Sequence, residues 1–325
     1  MKKRIFSGAQ PTGELHIGNY LGALKNWVKL QDEYDAFYCI VNLHAITVPQ
    51  DPKTLRQKTL DLARIYLAAG VDPEKSTIFI QSDVAEHAEL AWTLNCIARM
   101  GELERMTQFK DKSKGNAERS SVGLFDYPVL MVSDILLYQT DLVPVGQDQK
   151  QHLELTRDLA ERFNRDFGET FVVPQAYIPP VGAKIMSLKD PSKKMSKSDE
   201  NLNASIFLLD DADTITRKIK KAVTDSGTEI TFNEERPAIT NLLTIYQLMS
   251  GKTPEECEAN FEGKGYGDFK RELAEVVVEY MKPFQEKVKD YDDAELNKIL
   301  KKGAEKAKEV ASVTLKDVYE KMGIN

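Results

Sequence analysis

Two short segments of this 325-residue chain combine glycine, lysine and histidine in spacings suited to phosphate chemistry. Residues 11–20 read PTGELHIGNY; glycines let the backbone approach a ligand closely, and free N–H groups at a helix start attract phosphate. His16 supplies a side chain for a phosphate oxygen, with a structural loop capped by this histidine as the alternative. Residues 193–201 read KKMSKSDEN, where two lysines on a serine-rich loop suit a departing pyrophosphate. A solvated loop is the alternative there.

A third segment places a carboxylate among apolar residues. Asp134 follows Leu130-Met131-Val132 and precedes Ile135-Leu136-Leu137. A buried charge without a donor is costly, so this carboxylate needs one, and a ligand N–H would serve. A pocket built around one such hydrogen bond rejects ligands that lack the N–H. A helix cap or an ion pair with a nearby lysine is the alternative interpretation of Asp134.

Alternating strand-like and helix-like segments indicate how these residues are positioned. Over the first two thirds of the chain the alternation predicts a parallel sheet with helices on both faces. Asp51 and Pro52 form an N-cap and first-turn pair for a helix that stops at Gly70. Strands are predicted over 4–7, 36–41, 77–81 and 142–145, and helices over 15–30, 55–67, 88–100 and 148–163.

Strand signals fade from about Ile206, and amphipathic patterns take over. Helices are predicted over 212–223, 239–249, 269–288 and 293–310. The sequence therefore predicts a Rossmann-like, doubly wound α/β domain over residues 1–205 and an all-helical domain over 206–325, whose last helix packs back on the first domain.

Composition excludes several classes of protein. Hydrophobic residues make up 42% and charged residues 29%, and no apolar run is long enough to span a membrane or to act as a signal peptide. We therefore expect a cytoplasmic protein without a membrane partner. Three widely spaced cysteines argue against a zinc site and for packing roles. A net charge of −7 argues against a nonspecific nucleic-acid coat and against a DNA partner, although a local basic face suffices for an RNA.

The two phosphate motifs resemble the signatures of the class I aminoacyl-tRNA synthetases. Residues 16–19 match three of the four positions of His-Ile-Gly-His, with Asn19 in place of the last histidine, and residues 194–198 match Lys-Met-Ser-Lys-Ser in full. The segment 130–152 resembles the tryptophan-pocket helix of the bacterial branch specific for tryptophan. The resemblance covers nearly the whole chain, including HAIT, GELERMTQFK and AVTDS at 44–47, 101–110 and 222–226.

The resemblance implies that ATP lies along both motifs, where His16, Lys194 and Lys197 act on it. It also implies Mg²⁺ with the phosphates, although no ligand set for a metal is evident in the sequence. Gln147 stands at a position that is often acidic in relatives, which puts its role in doubt. The remaining implied ATP contacts are Gln10, Pro11, Thr12, Gly18, Asn19, Lys112, Gly146, Gln147, Asp148, Ile185, Met195, Ser196 and Ser198.

For the amino-acid substrate, the resemblance implies that Asp134 binds an indole nitrogen. Tyr127 and Gln149 would hold the amino group. The implied ring contacts are Phe6, Met131, Val143 and Val145. The resulting expectation is an enzyme that activates L-tryptophan with ATP and loads it onto tRNA(Trp) as a homodimer.

Three alternatives are considered. A tyrosine–tRNA ligase would show a Tyr/Asp pair for a phenol oxygen, whereas this chain has the apolar Phe6 on the equivalent strand. A small-molecule nucleotidyltransferase on the same kind of sheet is usually shorter and lacks both the full second motif and the helical domain. A non-catalytic paralogue would have eroded signatures, and here the lysines are intact.

The remaining polar residues have weaker signals. Three histidines, His44, His87 and His152, are expected to be structural or to lie at the surface. The helical domain would contact the tRNA anticodon through basic side chains, although charged runs usually only solvate a helix face. The candidate contacts are Arg217, Lys218, Lys220, Lys221, Lys298, Lys301, Lys302, Lys306 and Lys308.

Overall fold

The computed structural model describes residues 2–106, 120–146, 149–178, 184–197 and 199–324. Within these residues the strands form one five-stranded parallel sheet in the order β3-β2-β1-β4-β5. The strands are β1 (Arg4–Ala9), β2 (Asp35–Ile40), β3 (Ser76–Ile80), β4 (Leu142–Pro144) and β5 (Gln175–Tyr177). The predicted α/β fold with a doubly wound parallel sheet is confirmed.

Helices connect the strands and make up the regular structure after residue 206. The helices of the first part are α1 (Ile17–Asn19), α2 (Lys25–Glu33), α3 (Asn42–Ala45), α4 (Pro52–Ala68), α5 (Glu86–Asn95), α6 (Met100–Leu103), α7 (Val122–Leu136) and α8 (Lys150–Phe167). A π-helical turn, Tyr20–Leu24, joins α1 to α2. Those of the second part are α9 (Ala212–Lys220), α10 (Pro237–Ser250), α11 (Pro254–Phe261), α12 (Tyr266–Lys289) and α13 (Asp293–Met322). Among the described helices, none combines the length and the apolar character needed to cross a membrane.

Most predicted elements are present, but one predicted helix is divided and two short elements were missed. The helix predicted over 88–100 ends at Asn95, and α6 begins separately at Met100. The backbone N–H of Arg99 donates to the Glu102 carboxylate at 3.0 Å, which caps a new helix and interrupts the apolar pattern. The pattern also missed β5, which is only three residues long, and α11. As predicted, Asp51 caps α4 by accepting from the backbone N–H of Thr54 at 2.8 Å.

Strands β1, β2 and β3 are buried on both faces because their alternate side chains enter two separate apolar cores. On β1, Ile5 belongs to one core and Phe6 to the other. The core of Ile5 continues without a break into the later helices through residues such as Leu242 and Phe269. The helical region after 206 is therefore packed directly against one face of the sheet.

The order of the strands determines where a ligand can bind. The chain runs outward from β1 through β2 to β3, and then returns to add β4 and β5 on the other side. In such sheets the connections leave β1 and β4 in opposite directions, and this opens a crevice at their carboxyl ends. The first phosphate motif begins directly after β1.

The last helix, α13, covers the edge strand β3. An ideal Cβ placed on Gly303 would overlap the carbonyl oxygen of Ile78, so the helix lies against the strand backbone at this residue. Because an exposed edge strand is a site for unwanted pairing, this contact also protects the sheet.

We expect Gly303→Ala to destabilise the protein by about 1–3 kcal/mol, although alanine is normally the better helix former, because the added methyl group displaces α13 from β3. The matched control is Gly267→Ala in α12, where nothing lies within 4 Å of the added carbon. Urea denaturation followed by circular dichroism compares the two. A Gly303→Ala variant as stable as the control would contradict the close packing.

Candidate active site

A cavity of about 300 Å³ opens at the carboxyl ends of β1 and β4, where the strand order predicts a crevice. All seven residues that the sequence assigned to an amino-acid substrate line it, together with Gln10 from the first motif. These seven are Phe6, Tyr127, Met131, Asp134, Val143, Val145 and Gln149. Its walls are mostly apolar, which suits the enclosure of a large ring.

Asp134 is the carboxylate among the described lining residues of this cavity, and three protein side chains hold it. One carboxylate oxygen, Oδ2, lies 2.7 Å from Nε2 of His44. The other, Oδ1, accepts a hydrogen bond from Nε2 of Gln81 at 2.6 Å and lies 2.6 Å from Nδ1 of His87. Asp134 itself is 2% exposed.

These contacts decide the charge of Asp134. Burial alone would raise the pKa of the carboxyl group, but the charges and hydrogen bonds of His44 and His87 outweigh it and hold the pKa well below its usual value. Asp134 is therefore a carboxylate at neutral pH. Among the described residues its partners are two histidines and a glutamine, and neither the helix cap nor the lysine pair considered for it is found there. The donors that a buried carboxylate needs come from the protein itself, which supplies three.

The sequence did not single out His44 or Gln81 as parts of the site. His44 was expected to be structural or on the surface, yet it is buried and lines the cavity. The sequence does contain a signal for both residues, because His44 follows the carboxyl end of β2 and Gln81 follows that of β3. Carboxyl ends of neighbouring parallel strands meet at one edge of the sheet, where ligands bind.

His16 begins the short helix α1. Its Nδ1 accepts a hydrogen bond from the backbone N–H of Asn19 at 3.3 Å, while its own backbone N–H donates to Oδ1 of Asn19 at 3.1 Å. The capping role considered as an alternative is therefore present. It does not exclude the phosphate role, because a neutral ring that accepts at Nδ1 carries its hydrogen on Nε2 and can donate from there. Asn19, in place of a second histidine, completes the cap.

Burial, and then the positive charges of Lys194 and Lys197, lower the pKa of His16 from 6.5 to about 4. The ring is therefore neutral at physiological pH, which agrees with an acceptor at Nδ1. An ideal Cβ on Gly18 would lie 3.0 Å from two atoms of this ring. The glycine of the motif therefore makes room for the His16 imidazole.

The second motif lies directly over the first. Gly13 has a left-handed backbone (φ +66°), and an ideal Cβ there would lie 3.3 Å from Cδ of Lys197. The Nζ of Lys197 donates to the carbonyl oxygen of Gln10 at 3.4 Å. Two segments that are far apart in sequence thus bring the Lys197 cation and the neutral His16 imidazole together, next to Gln10 at the edge of the cavity.

Backbone pairing holds the second motif in this position. The N–H of Met195 donates to the carbonyl oxygen of Ile185 at 3.0 Å, and the Ser205 hydroxyl donates to the carbonyl oxygen of Ser196 at 3.0 Å. The next segment then pairs with the first motif, since the N–H of Ile17 donates to the carbonyl oxygen of Ile206 at 3.0 Å.

The remaining ATP candidates fall into three groups. Ile185 and Met195 are 1% and 2% exposed, so their side chains belong to the core and only their backbone is available to a ligand. Pro11, Thr12 and Gly146 lie in the loops that follow β1 and β4. Four candidates lie outside the described residues: Lys112, Gln147, Asp148 and Ser198.

Other sequence candidates are explained by packing. His87 and His152 are buried, as expected for structural residues, and Nε2 of His152 lies 3.0 Å from the Tyr127 hydroxyl oxygen. Cys39 is fully buried in β2.

Lys218 is not available to an RNA, because it is 3% exposed and its Nζ lies 2.6 Å from the Asp210 carboxylate. That anticodon-contact prediction is wrong.

The neutral state of His16 can be measured directly. We expect its imidazole NMR signals to titrate with a midpoint near 4. Folding lowers the pKa of His16, so the unfolded chain takes up this proton at a higher pH than the folded chain does. As the pH falls from about 6.5 to about 4, this difference lowers the free energy of unfolding. Lys194→Met should move the midpoint upward, but not back to 6.5, because burial remains.

The control for that titration is Lys193→Met, which removes a neighbouring lysine that pairs instead with Asp190 at 3.0 Å. It should leave the midpoint unchanged. A wild-type midpoint near 6.5 would contradict the arrangement of the two motifs.

Known proteins resemble this chain over nearly its whole length. A family model described as tRNA synthetases class I (W and Y) matches residues 1–282. The chain is 58% identical over 323 residues to a tryptophan–tRNA ligase of Helicobacter pylori, covering 99% of both proteins. It is 60% identical over 326 residues to one of Listeria monocytogenes, covering 100% of this chain and 98% of the relative.

Solved structures agree with these relatives. A tryptophanyl-tRNA synthetase from Mycoplasma pneumoniae superposes with a TM-score of 0.91 at 39% identity, covering 100% of this chain and 99% of that one. One from Campylobacter jejuni, complexed with ADP and tryptophan, superposes with a TM-score of 0.85 at 38% identity, covering 98% and 99%. The chain therefore belongs to the class I tRNA synthetases of the tryptophan and tyrosine group.

Proposed function

We propose that this chain is a tryptophan–tRNA ligase, which activates L-tryptophan with ATP and transfers it to tRNA(Trp). The observation that carries the proposal is a buried carboxylate, Asp134, in the wall of an otherwise largely apolar cavity beside two phosphate motifs. Full-length relatives named as tryptophan–tRNA ligases support the choice of substrate.

The cavity fits an indole better than a phenol. Phe6, Met131 and Val143 offer apolar contacts for a ring, and Asp134 offers an acceptor for the indole N–H. A phenol hydroxyl could also donate to Asp134, but a tyrosine pocket is expected to add a tyrosine partner for the oxygen, and Phe6 has no hydroxyl. Tyr127 and Gln149 line the same cavity and would hold the substrate amino group.

In the first step the tryptophan carboxylate attacks the α-phosphorus of ATP, and pyrophosphate leaves. No protein nucleophile is needed, because positioning and stabilisation of charge lower the barrier. Lys194 and Lys197 would stabilise the negative charge that grows on the departing pyrophosphate. The neutral His16 would donate from Nε2 to a phosphate oxygen. The remaining ATP contacts assigned from the sequence belong to this proposal.

The Mg²⁺ that the resemblance implies has no protein cage in the described part of the chain. Within the described residues, there is no group of three histidine, cysteine, aspartate or glutamate side chains that could hold a metal ion together. Mg²⁺ commonly binds through substrate phosphates with few protein ligands, so it would arrive with ATP. We assign no step to it.

In the second step a hydroxyl of the terminal tRNA ribose attacks the carbonyl carbon of the mixed anhydride and releases AMP. We propose that the helices after residue 206 carry the anticodon-binding surface, since exposed lysines of α13 such as Lys298, Lys301 and Lys308 are available there. A cytoplasmic location follows from the same proposal, because translation uses the product there.

We further propose that the enzyme acts as a homodimer. A surface groove lined by Trp92, Met100 and Val122 supports this, because these apolar side chains are 71%, 65% and 81% exposed. Clustered exposed apolar residues of this kind mark protein interfaces.

ATP–pyrophosphate exchange tests the proposed activity. We expect exchange with tryptophan and with no other proteinogenic amino acid. Lys197→Met should slow it by about 10²-fold or more, because a charge that stabilises the departing group is lost. Lys193→Met, a lysine of the same loop paired with Asp190, should stay near the wild-type rate. Exchange with tyrosine instead would show that the chain is a tyrosine–tRNA ligase. The absence of exchange with any amino acid, from folded protein, would refute the proposal.

A further inference from the structure

His87 lies one layer behind the cavity. Its Nδ1 is 2.6 Å from Oδ1 of Asp134, and its Nε2 is 2.7 Å from the hydroxyl oxygen of Tyr138. The ring is completely buried and is not part of the cavity lining formed by the described residues. His87 therefore contacts the carboxylate without contacting anything that the cavity binds.

The hydrogens of this chain of contacts follow from the chemistry of each group. A carboxylate only accepts, so Nδ1 of His87 carries a hydrogen. On the other side of the ring, Nε2 of His87 pairs with the hydroxyl of Tyr138, and burial raises the pKa of Tyr138 so that this hydroxyl keeps its hydrogen. Tyr138 thus holds the ring in the orientation that points Nδ1 at Asp134. The hydroxyl of Ser133 donates to the carbonyl oxygen of His87 at 2.7 Å and fixes the backbone.

The two oxygens of Asp134 are used unequally. Oδ1 has two donors, Gln81 and His87, whereas Oδ2 has one, His44. A carboxylate offers about four acceptor positions, two on each oxygen. One position on Oδ2 therefore remains beyond the described donors, and Asp134 and His44 are the members of this group that line the cavity.

We propose that His87, backed by Tyr138, is a positioning residue that makes the site selective for a ring N–H. By occupying Oδ1, the two buried donors keep the carboxylate from turning, so that the open position on Oδ2 faces the bound side chain. The inference rests on the proposed function, because it takes the indole N–H of tryptophan as the group that binds there. Its support besides geometry is the lowered pKa of Asp134, to which His87 contributes.

The test compares tryptophan with β-(3-benzothienyl)alanine, in which sulfur replaces the indole N–H within a ring of similar shape. For each amino acid, kcat/KM is measured by ATP–pyrophosphate exchange. In His87→Leu, the preference for tryptophan should fall by about tenfold or more, mainly through KM, because a hydrogen bond to a charged group is lost or misdirected. In His87→Asn the amide nitrogen can replace Nδ1, and most of the preference should return.

Tyr138→Phe provides a second variant if His87→Leu does not fold, because the ring that stacks on Phe37 at 4.9 Å remains and only the hydroxyl is lost. Its preference should fall less than that of His87→Leu. Equal losses of kcat/KM for both amino acids, or a preference unchanged in these variants, would overturn the positioning role while tryptophan activation stands. A wild-type enzyme that activates no tryptophan would instead refute the proposed function, and this inference with it.

Discussion

Asp134 keeps a negative charge inside an apolar cavity wall because three side chains from three different parts of the chain donate to it. Removing a carboxylate from water costs several kcal/mol unless such donors compensate. His44 and Gln81 follow two parallel strands, and His87 lies on α5. The helix that carries Asp134 must therefore pack against α5 and the ends of β2 and β3 for this charge to be compensated.

The two sequence motifs beside the cavity carry the opposite charge next to His16: lysines lie there instead of a carboxylate. There a neutral imidazole and two lysines meet at a rim formed by residues 10–19 and 194–197, and the lysines help to keep His16 uncharged. In the proposed function, two lysines and a neutral donor would attract phosphate at this rim without a buried cation. Because the second motif is tied to the first through Ile206 and Ser205, the rim depends on the junction with the helical region.

Sequence patterns predicted most of the sheet and most helices, because strand burial and capping are local and strongly patterned. The seven cavity residues named from the sequence came from the family resemblance instead. Neither predicted how Asp134 is paired. Its partners lie 47 to 90 positions away, and no local pattern links them. Lys218 was misjudged for a related reason, since a lysine in a basic run looks solvated until Asp210 is seen beside it.

Calorimetric titration of tryptophan into wild type and Asp134→Asn, without ATP, tests the central claim most directly. The asparagine has nearly the same shape but loses the charge and must turn an amide N–H₂ toward donors that already surround it. We predict that tryptophan binds the variant about 100-fold more weakly or not at all, while the variant stays folded and still binds ATP. Unchanged tryptophan affinity in a folded Asp134→Asn protein would contradict the account of the pocket.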